Sequence, residues 1–207
     1  MMLPTHALVG MALALPIAML APDLAPAALL GGFLGGILPD LDLYAGHRRT
    51  LHFPTLYPIA AVPAALLAFL WPTTVAIAVA FVLIGAAAHC RMDIYGGGLE
   101  LRPWEGTSDH AVYDHVARKW LPPRRFVAYD GSKGDLGIAT LVAAPLVVLV
   151  EWPFVALVAG AIGIGVVYAL LRRRLAALAP VVFGRVPDTL SQYVPARYRD
   201  DTSELRP

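Results

Sequence analysis

Charge is what this chain has least of: 15% of its 207 residues are Asp, Glu, Lys or Arg, against about 25% in an average soluble domain. So few charged side chains cannot cover the surface of a compact soluble protein. A single cysteine excludes an internal disulfide, and with it a secreted disulfide scaffold. Neither sign of charge is in excess: 16 basic against 15 acidic residues leave +1, so no nucleic-acid partner is expected. Disorder is excluded by the opposite abundance, 58% hydrophobic residues and a mean hydropathy of +0.64. What the chain does have is long uncharged runs, and these belong in a membrane.

The runs fall at 7–22, 24–39, 53–88, 136–150 and 152–171. The third is too long for one span and suits two. Trp71-Pro72-Thr73-Thr74 divides it, because Pro cannot continue a helix and Thr caps the next one. The last run stops at Arg172-Arg173-Arg174. The sequence therefore predicts an all-α polytopic membrane protein of six transmembrane helices. A four-helix membrane core occupies 1–95, a cytoplasmic loop 96–134, a helical hairpin 135–174, and a cytoplasmic or interfacial tail 175–207.

The first two runs are short, which leaves a re-entrant hairpin as their alternative. A cleaved signal peptide is the rival for the first, but it lacks a basic lead, His6 standing where Lys or Arg is expected. Gly31, Gly32, Gly35 and Gly36 interrupt the second run at a spacing that favours close helix packing. A phosphate cradle would need a following Lys-Ser/Thr, which is missing. With six spans, both termini share one side, and all 16 Lys and Arg fall there. By the positive-inside rule that side is cytoplasmic, in a cell (inner) membrane.

Alternating spans also bring the chemistry-bearing residues together. His6 opens span one, Asp40 and Asp42 close span two, His47-Arg48-Arg49-Thr50-Leu51-His52 leads into span three, and His89 and Asp93 close span four. His89 and Asp93 are four apart on a helix, so they share a face about one turn apart. Imidazole with carboxylate suits Zn²⁺, and also Mn²⁺ or Fe²⁺. Carboxylates at a helix C-terminus oppose the macrodipole, so Asp40 and Asp42 call for a compensating cation, a metal or Arg48 and Arg49.

Each residue taken singly has a plainer reading. His89 and Asp93 could be a hydrogen-bonded pair, Asp40 and Asp42 a polar loop, His6 an interfacial cap. His47 is expected in solvent, Cys90 as a packed thiol. Together, ionisable groups near membrane depth mark function. The expected ligands of a divalent metal are first His89, Asp93, Asp40 and His52, with His6 and Asp42 completing a second ion or the outer shell. His110 and Asp114, again four apart, offer a second site or a solvated amphipathic helix.

These stretches resemble a known family in order and spacing. Thr5-His6, Leu38-Pro39-Asp40-Leu41-Asp42, the His47 to His52 stretch, and His89 to Asp93 with glycines behind it are similar to the LexA-regulated, inner-membrane-associated metal-dependent hydrolases. The resemblance covers about residues 1–100, and the loop from Trp104 to Trp120 is similar to members from halophilic archaea. The family's usual Thr-His-Ser stands here as Thr50-Leu51-His52-Phe53, so that Ser has no counterpart. The resemblance implies metal-dependent hydrolysis and names no substrate. The His-x-x-x-Asp helix is also similar to that of zinc-dependent bacterial phospholipases C, where the two residues ligate metal.

The expectation is then a hydrolase acting at the cytoplasmic membrane interface through metal-activated water. Asp42 would take the proton, while Arg48 and Arg49 would hold an anionic oxygen. Membrane lipids or an amphiphilic or phosphorylated small molecule are the expected partners. The alternative is a non-catalytic membrane protein with a structural metal or ion-pair site. A transporter fits less well, since its polar groups would sit near the midplane.

Overall fold

Proline and capping residues set where the helices begin and end in the computed structural model, which describes residues 1–191, 193, 194 and 198. Helix α1 (Leu3–Ala12) starts with Pro4 in its first turn. It stops at Ala12 because Pro16 has no amide hydrogen and its ring crowds the carbonyl four residues back, and α2 (Leu15–Leu20) follows. Helix α3 (Ala25–Ile37) tightens into a 3-10 turn at Leu38–Asp42, with Pro39 at its start. Helix α4 spans Leu56–Leu70 and α5 Thr74–Tyr95, the latter capped by Thr73, whose Oγ1 accepts the Ala76 N–H at 3.2 Å. The division expected at Trp71-Pro72-Thr73 is thus realised.

Residues 96–132 hold a small antiparallel pair, β1 (Val112–Asp114) and β2 (Lys119–Leu121), with Tyr113 opposite Trp120. The strand pair replaces the amphipathic helix considered for His110 and Asp114: Val112, Tyr113, Trp120 and Leu121 favour a pleated surface. Helix α6 (Lys133–Leu149) is capped by Ser132 and has Asp135 in its first turn, where a carboxylate suits the dipole. Helix α7 (Phe154–Phe183) runs for 30 residues, and a short α8 covers Asp188–Ser191. The three arginines at 172–174 do not end α7. Arg, Ala and Leu are strong helix formers, and Leu175 to Ala179 carry the helix on into what the sequence assigned to the tail.

Among the described residues, four segments are long and apolar enough to cross a membrane: Leu3–Leu20, Pro22–Asp42, Thr74–Tyr95 and Phe154–Phe183. The other two expected spans are α4 with 15 residues and α6 with 17. At 1.5 Å per residue they rise about 22–26 Å, short of a hydrocarbon core of roughly 30 Å. Large apolar side chains on the outer faces stay exposed, among them Leu20 at 83%, Phe69 at 81% and Val148 at 80%. An apolar exterior of this extent fits a membrane protein.

The inner faces of α1, α3 and α5 meet backbone to backbone. A Cβ on Gly32 would lie 2.1 Å from the Gly10 carbonyl oxygen, and one on Gly35 2.2 Å from that of Val82. Only glycine permits such approach, which bears out the packing reading of this stripe. α4 lies against α5, while α6 and α7 pack on α1. Asp135 ties that second layer down, accepting the Met2 N–H and the Thr5 hydroxyl, each at 2.7 Å. This close packing brings the ends of α1, α3 and α5 to one place.

Candidate metal centre

Four segments deliver side chains to that place: His6 from α1, Asp40 and Asp42 from the 3-10 turn, His52 from the loop before α4, and His89 and Asp93 from the last turns of α5. One donor atom each from Asp40, His52, His89 and Asp93 lies within 4.8 Å of the others. His52 Nε2 is 3.3 Å from Asp93 Oδ2 and 3.7 Å from Asp40 Oδ1. His89 Nε2 is 3.3 Å from Asp93 Oδ2 and 3.4 Å from Asp40 Oδ1. A tetrahedral ion with bonds of about 2.0–2.2 Å sets its ligands roughly 3.3–3.6 Å apart. Direct hydrogen bonds would draw most of these pairs to about 2.7–3.2 Å.

The other nitrogen of each imidazole is already committed. His89 Nδ1 is 2.7 Å from the Gly36 carbonyl oxygen, and His52 Nδ1 is 2.9 Å from Asp42 Oδ2. An acceptor at Nδ1 fixes the hydrogen there and leaves Nε2 with a lone pair. His52 Nε2, His89 Nε2 and Asp93 Oδ2 are all buried and have no hydrogen-bond partner among the described residues. Three orphaned donors aimed at one point, beside a fourth on Asp40, fit a divalent cation. Two carboxylates and two neutral imidazoles balance its charge.

Asp93 divides its carboxylate between two tasks. Oδ2 faces the cluster, while Oδ1 takes His6 Nε2 at 3.1 Å, Arg48 Nη2 at 3.3 Å and the Met1 nitrogen at 2.9 Å. His6 also stacks on the His89 ring, centroids 3.8 Å apart. It therefore adjoins the four-residue group without being part of it.

Asp42 also stands one layer out. It accepts His52 Nδ1, His47 Nδ1 at 3.1 Å and the Leu51 N–H at 3.1 Å. His47, expected in solvent, is instead half-buried against it. Burial by itself opposes protonation of His52, yet the Asp42 and Asp93 carboxylates outweigh burial and raise its pKa. The cage attracts positive charge.

The two arginines part company. Arg48 is buried, and its Nη1 donates to the Gly97 carbonyl at 2.8 Å. Burial opposes its charge, but Asp93 and Asp40 hold its pKa above the usual guanidinium value. Its backbone has φ 60°, a left-handed conformation a non-glycine residue adopts at a cost. Arg49 is exposed, with its guanidinium 4.7 Å over the Tyr113 ring. The two adjacent arginines therefore point apart, Arg48 toward Asp93 and Arg49 over Tyr113.

The second site suggested at His110 and Asp114 is not assembled. His110 stacks on Trp120, while Asp114 accepts the Thr55 hydroxyl at 2.8 Å and caps Val116 and Ala117. Cys90 is a buried free thiol, as expected. Sequence reasoning missed the Gly36 carbonyl that orients His89, because a backbone acceptor leaves no mark in residue types. It also missed Glu100, Asp130 and Arg172, which line a cavity beside Asp40. No family model matches the chain, and no curated protein or solved structure matches it.

Proposed function

We propose that this chain is a membrane-embedded, metal-dependent hydrolase working at the cytoplasmic membrane interface on a phosphoester or lipid-like substrate. The observation that carries the reading is the convergence of buried, unpartnered His52 Nε2, His89 Nε2 and Asp93 Oδ2 on Asp40 Oδ1. The resemblance of this residue set to the LexA-regulated inner-membrane hydrolases supports it. So does the gathering of all 16 Lys and Arg on one side of a six-span arrangement in which α4 and α6 cross as the two shorter spans. Zinc is the proposed ion, with Mn²⁺ or Fe²⁺ as substitutes.

A bound divalent ion supplies hydroxide near neutral pH by lowering the pKa of water to about 7. The chain's own residues do the rest. Arg48, with Nε buried and unpartnered, offers a fixed donor for the negative charge that grows on the phosphoryl oxygens. Asp40 is the most exposed ligand, its side chain 20% accessible, and leaves room for water on its side. One water is added across the P–O ester bond: its oxygen joins phosphorus, the bond to the alcohol oxygen breaks, and of its two protons one leaves to solvent and the other ends on the departing alcohol. Asp42, held by His52 and His47, orients a ligand.

One observation favours a second reading. Four protein donors gather here, the number that structural zinc sites use, whereas catalytic sites keep a position open. The two separate in an assay of phosphate or phosphorylated headgroup release from phospholipid micelles, with and without chelator. The hydrolase reading requires chelator-sensitive release, and Arg48→Lys should slow it by about 10²–10³ while the ion is retained. Metal-loaded protein that releases nothing makes the site structural.

A further inference from the structure

A cavity of about 580 Å³ lies beside the metal-binding group, between α1, the end of α3 and α7. Its size is that of a small-molecule site, about 300–1,000 Å³. Asp40 lines it, whereas the side chains of His52, His89 and Asp93 are sealed at 0–1% exposure. The cavity therefore borders the cluster on its Asp40 side.

Its two ends differ in chemistry. One holds Asp40, Arg48, Glu100, Asp130 and Arg172; the other is walled by Ala7, Phe33, Ile37, Leu157, Gly160 and Ile164. The apolar part opens sideways, since Gly160 is exposed and Ile164 is 64% exposed on the outer face of α7. From Ala156 to Tyr168, both lining residues, α7 rises about 18 Å, close to the roughly 15 Å hydrocarbon depth of one leaflet.

At the polar end, Asp130 is neutralised by Arg172 through contacts of 2.9 and 3.2 Å. Arg48 Nε and both carboxylate oxygens of Glu100 are buried with no hydrogen-bond partner among the described residues. A plain anion would gain Arg48 and be repelled by Glu100. A head carrying both phosphate and ammonium satisfies each.

We infer that this cavity seats a zwitterionic phospholipid drawn sideways from the bilayer, its chain along α7, its phosphate at Arg48 and its ammonium at Glu100. The hydrolase reading says what happens to this lipid, and the inference deepens that reading by naming the substrate class.

The test uses the full chain, zinc-loaded, in nanodiscs containing phosphatidylethanolamine with a photoreactive diazirine in one chain. Adducts are mapped by mass spectrometry. Saturable adducts should form at Ala7, Phe33 and Ile37. Unlabelled phosphatidylethanolamine should compete about tenfold or more better than phosphatidylglycerol, as a lost charge-assisted contact requires. Soluble glycerophosphoethanolamine should not compete. Gly160→Phe should abolish the cavity adducts while metal content and adducts on outward Val148 persist, because a Cβ at Gly160 meets nothing within 4 Å. Glu100→Gln should erase the preference for the zwitterion.

Adducts confined to outward side chains such as Leu141 and Val148 would overturn the inference, as would equal competition by phosphatidylglycerol. Cavity adducts without hydrolysis would keep the cavity and remove the hydrolase. Hydrolysis of a soluble phosphoester without cavity adducts would do the reverse.

Discussion

Asp42 turns His52 toward the cluster: His52 Nδ1 lies 2.9 Å from Asp42 Oδ2, and the far nitrogen of the same ring faces Asp93 Oδ2 at 3.3 Å. Asp42→Asn keeps every proposed ligand but weakens the acceptor that sets the His52 tautomer. Metal affinity should fall by about 10–100-fold, the usual effect of losing such a partner. Competition with a chromogenic chelator measures it, and an unchanged affinity would mean that Asp42 orients nothing.

Gly36 has two roles, and a methyl group there should disturb both. A Cβ would sit 2.3 Å from the His6 carbonyl oxygen, and the Gly36 carbonyl is the acceptor for His89 Nδ1. Gly36→Ala should cost about 1–3 kcal/mol, as overpacking does, and should lower metal content as well. Gly163→Ala meets nothing within 4 Å and should be neutral or gain up to about 1 kcal/mol from helix propensity. Melting temperatures of the two variants in detergent make the comparison; equal values would refute the packing account.

Asp130 gives the stability a pH dependence. Burial opposes its ionisation, but Arg172 and the Tyr168 hydroxyl beside it outweigh burial and hold its pKa below the ordinary value. A carboxyl depressed on folding stabilises the protein above its unfolded pKa of about 3.9, and that contribution disappears as pH falls through the folded value. Asp130→Asn should therefore lower the melting temperature at pH 7 and narrow its difference from the parent below about pH 4. A constant difference from pH 7 to pH 3 would contradict this.

Orientation in the membrane is open to direct labelling. In a Cys90→Ser background, a cysteine at the exposed Lys133 should react with an impermeant maleimide only after the cells are opened. Labelling of intact cells would reverse the proposed topology.

How much of this was legible in the sequence follows from what each residue depends on. His6, Asp40, His52, His89 and Asp93 meet because alternating helices bring their ends to one face, and charge-free runs reveal helix ends. Asp40 and Asp42 are separated by a 3-10 turn that points the first at the imidazole Nε2 atoms of the cluster and the second at His52 Nδ1. Arg48 and Arg49 diverge through a left-handed backbone at Arg48, which nothing in a run of basic residues announces. His110 and Asp114 have helical spacing, but the β-favouring residues around them form a strand pair instead. Helix lengths were less legible than helix existence: α4 starts only at Leu56 and α7 continues to Phe183.

The central claim is that His52, His89, Asp93 and Asp40 hold one divalent ion. Elemental analysis of detergent-purified protein never exposed to chelator tests it most directly, with His89→Ala and Asp93→Ala purified in parallel. The account predicts about one transition-metal ion per parent chain, chiefly zinc, and loss of that ion from both variants. A parent protein free of transition metal, or variants that retain the full complement, would contradict it.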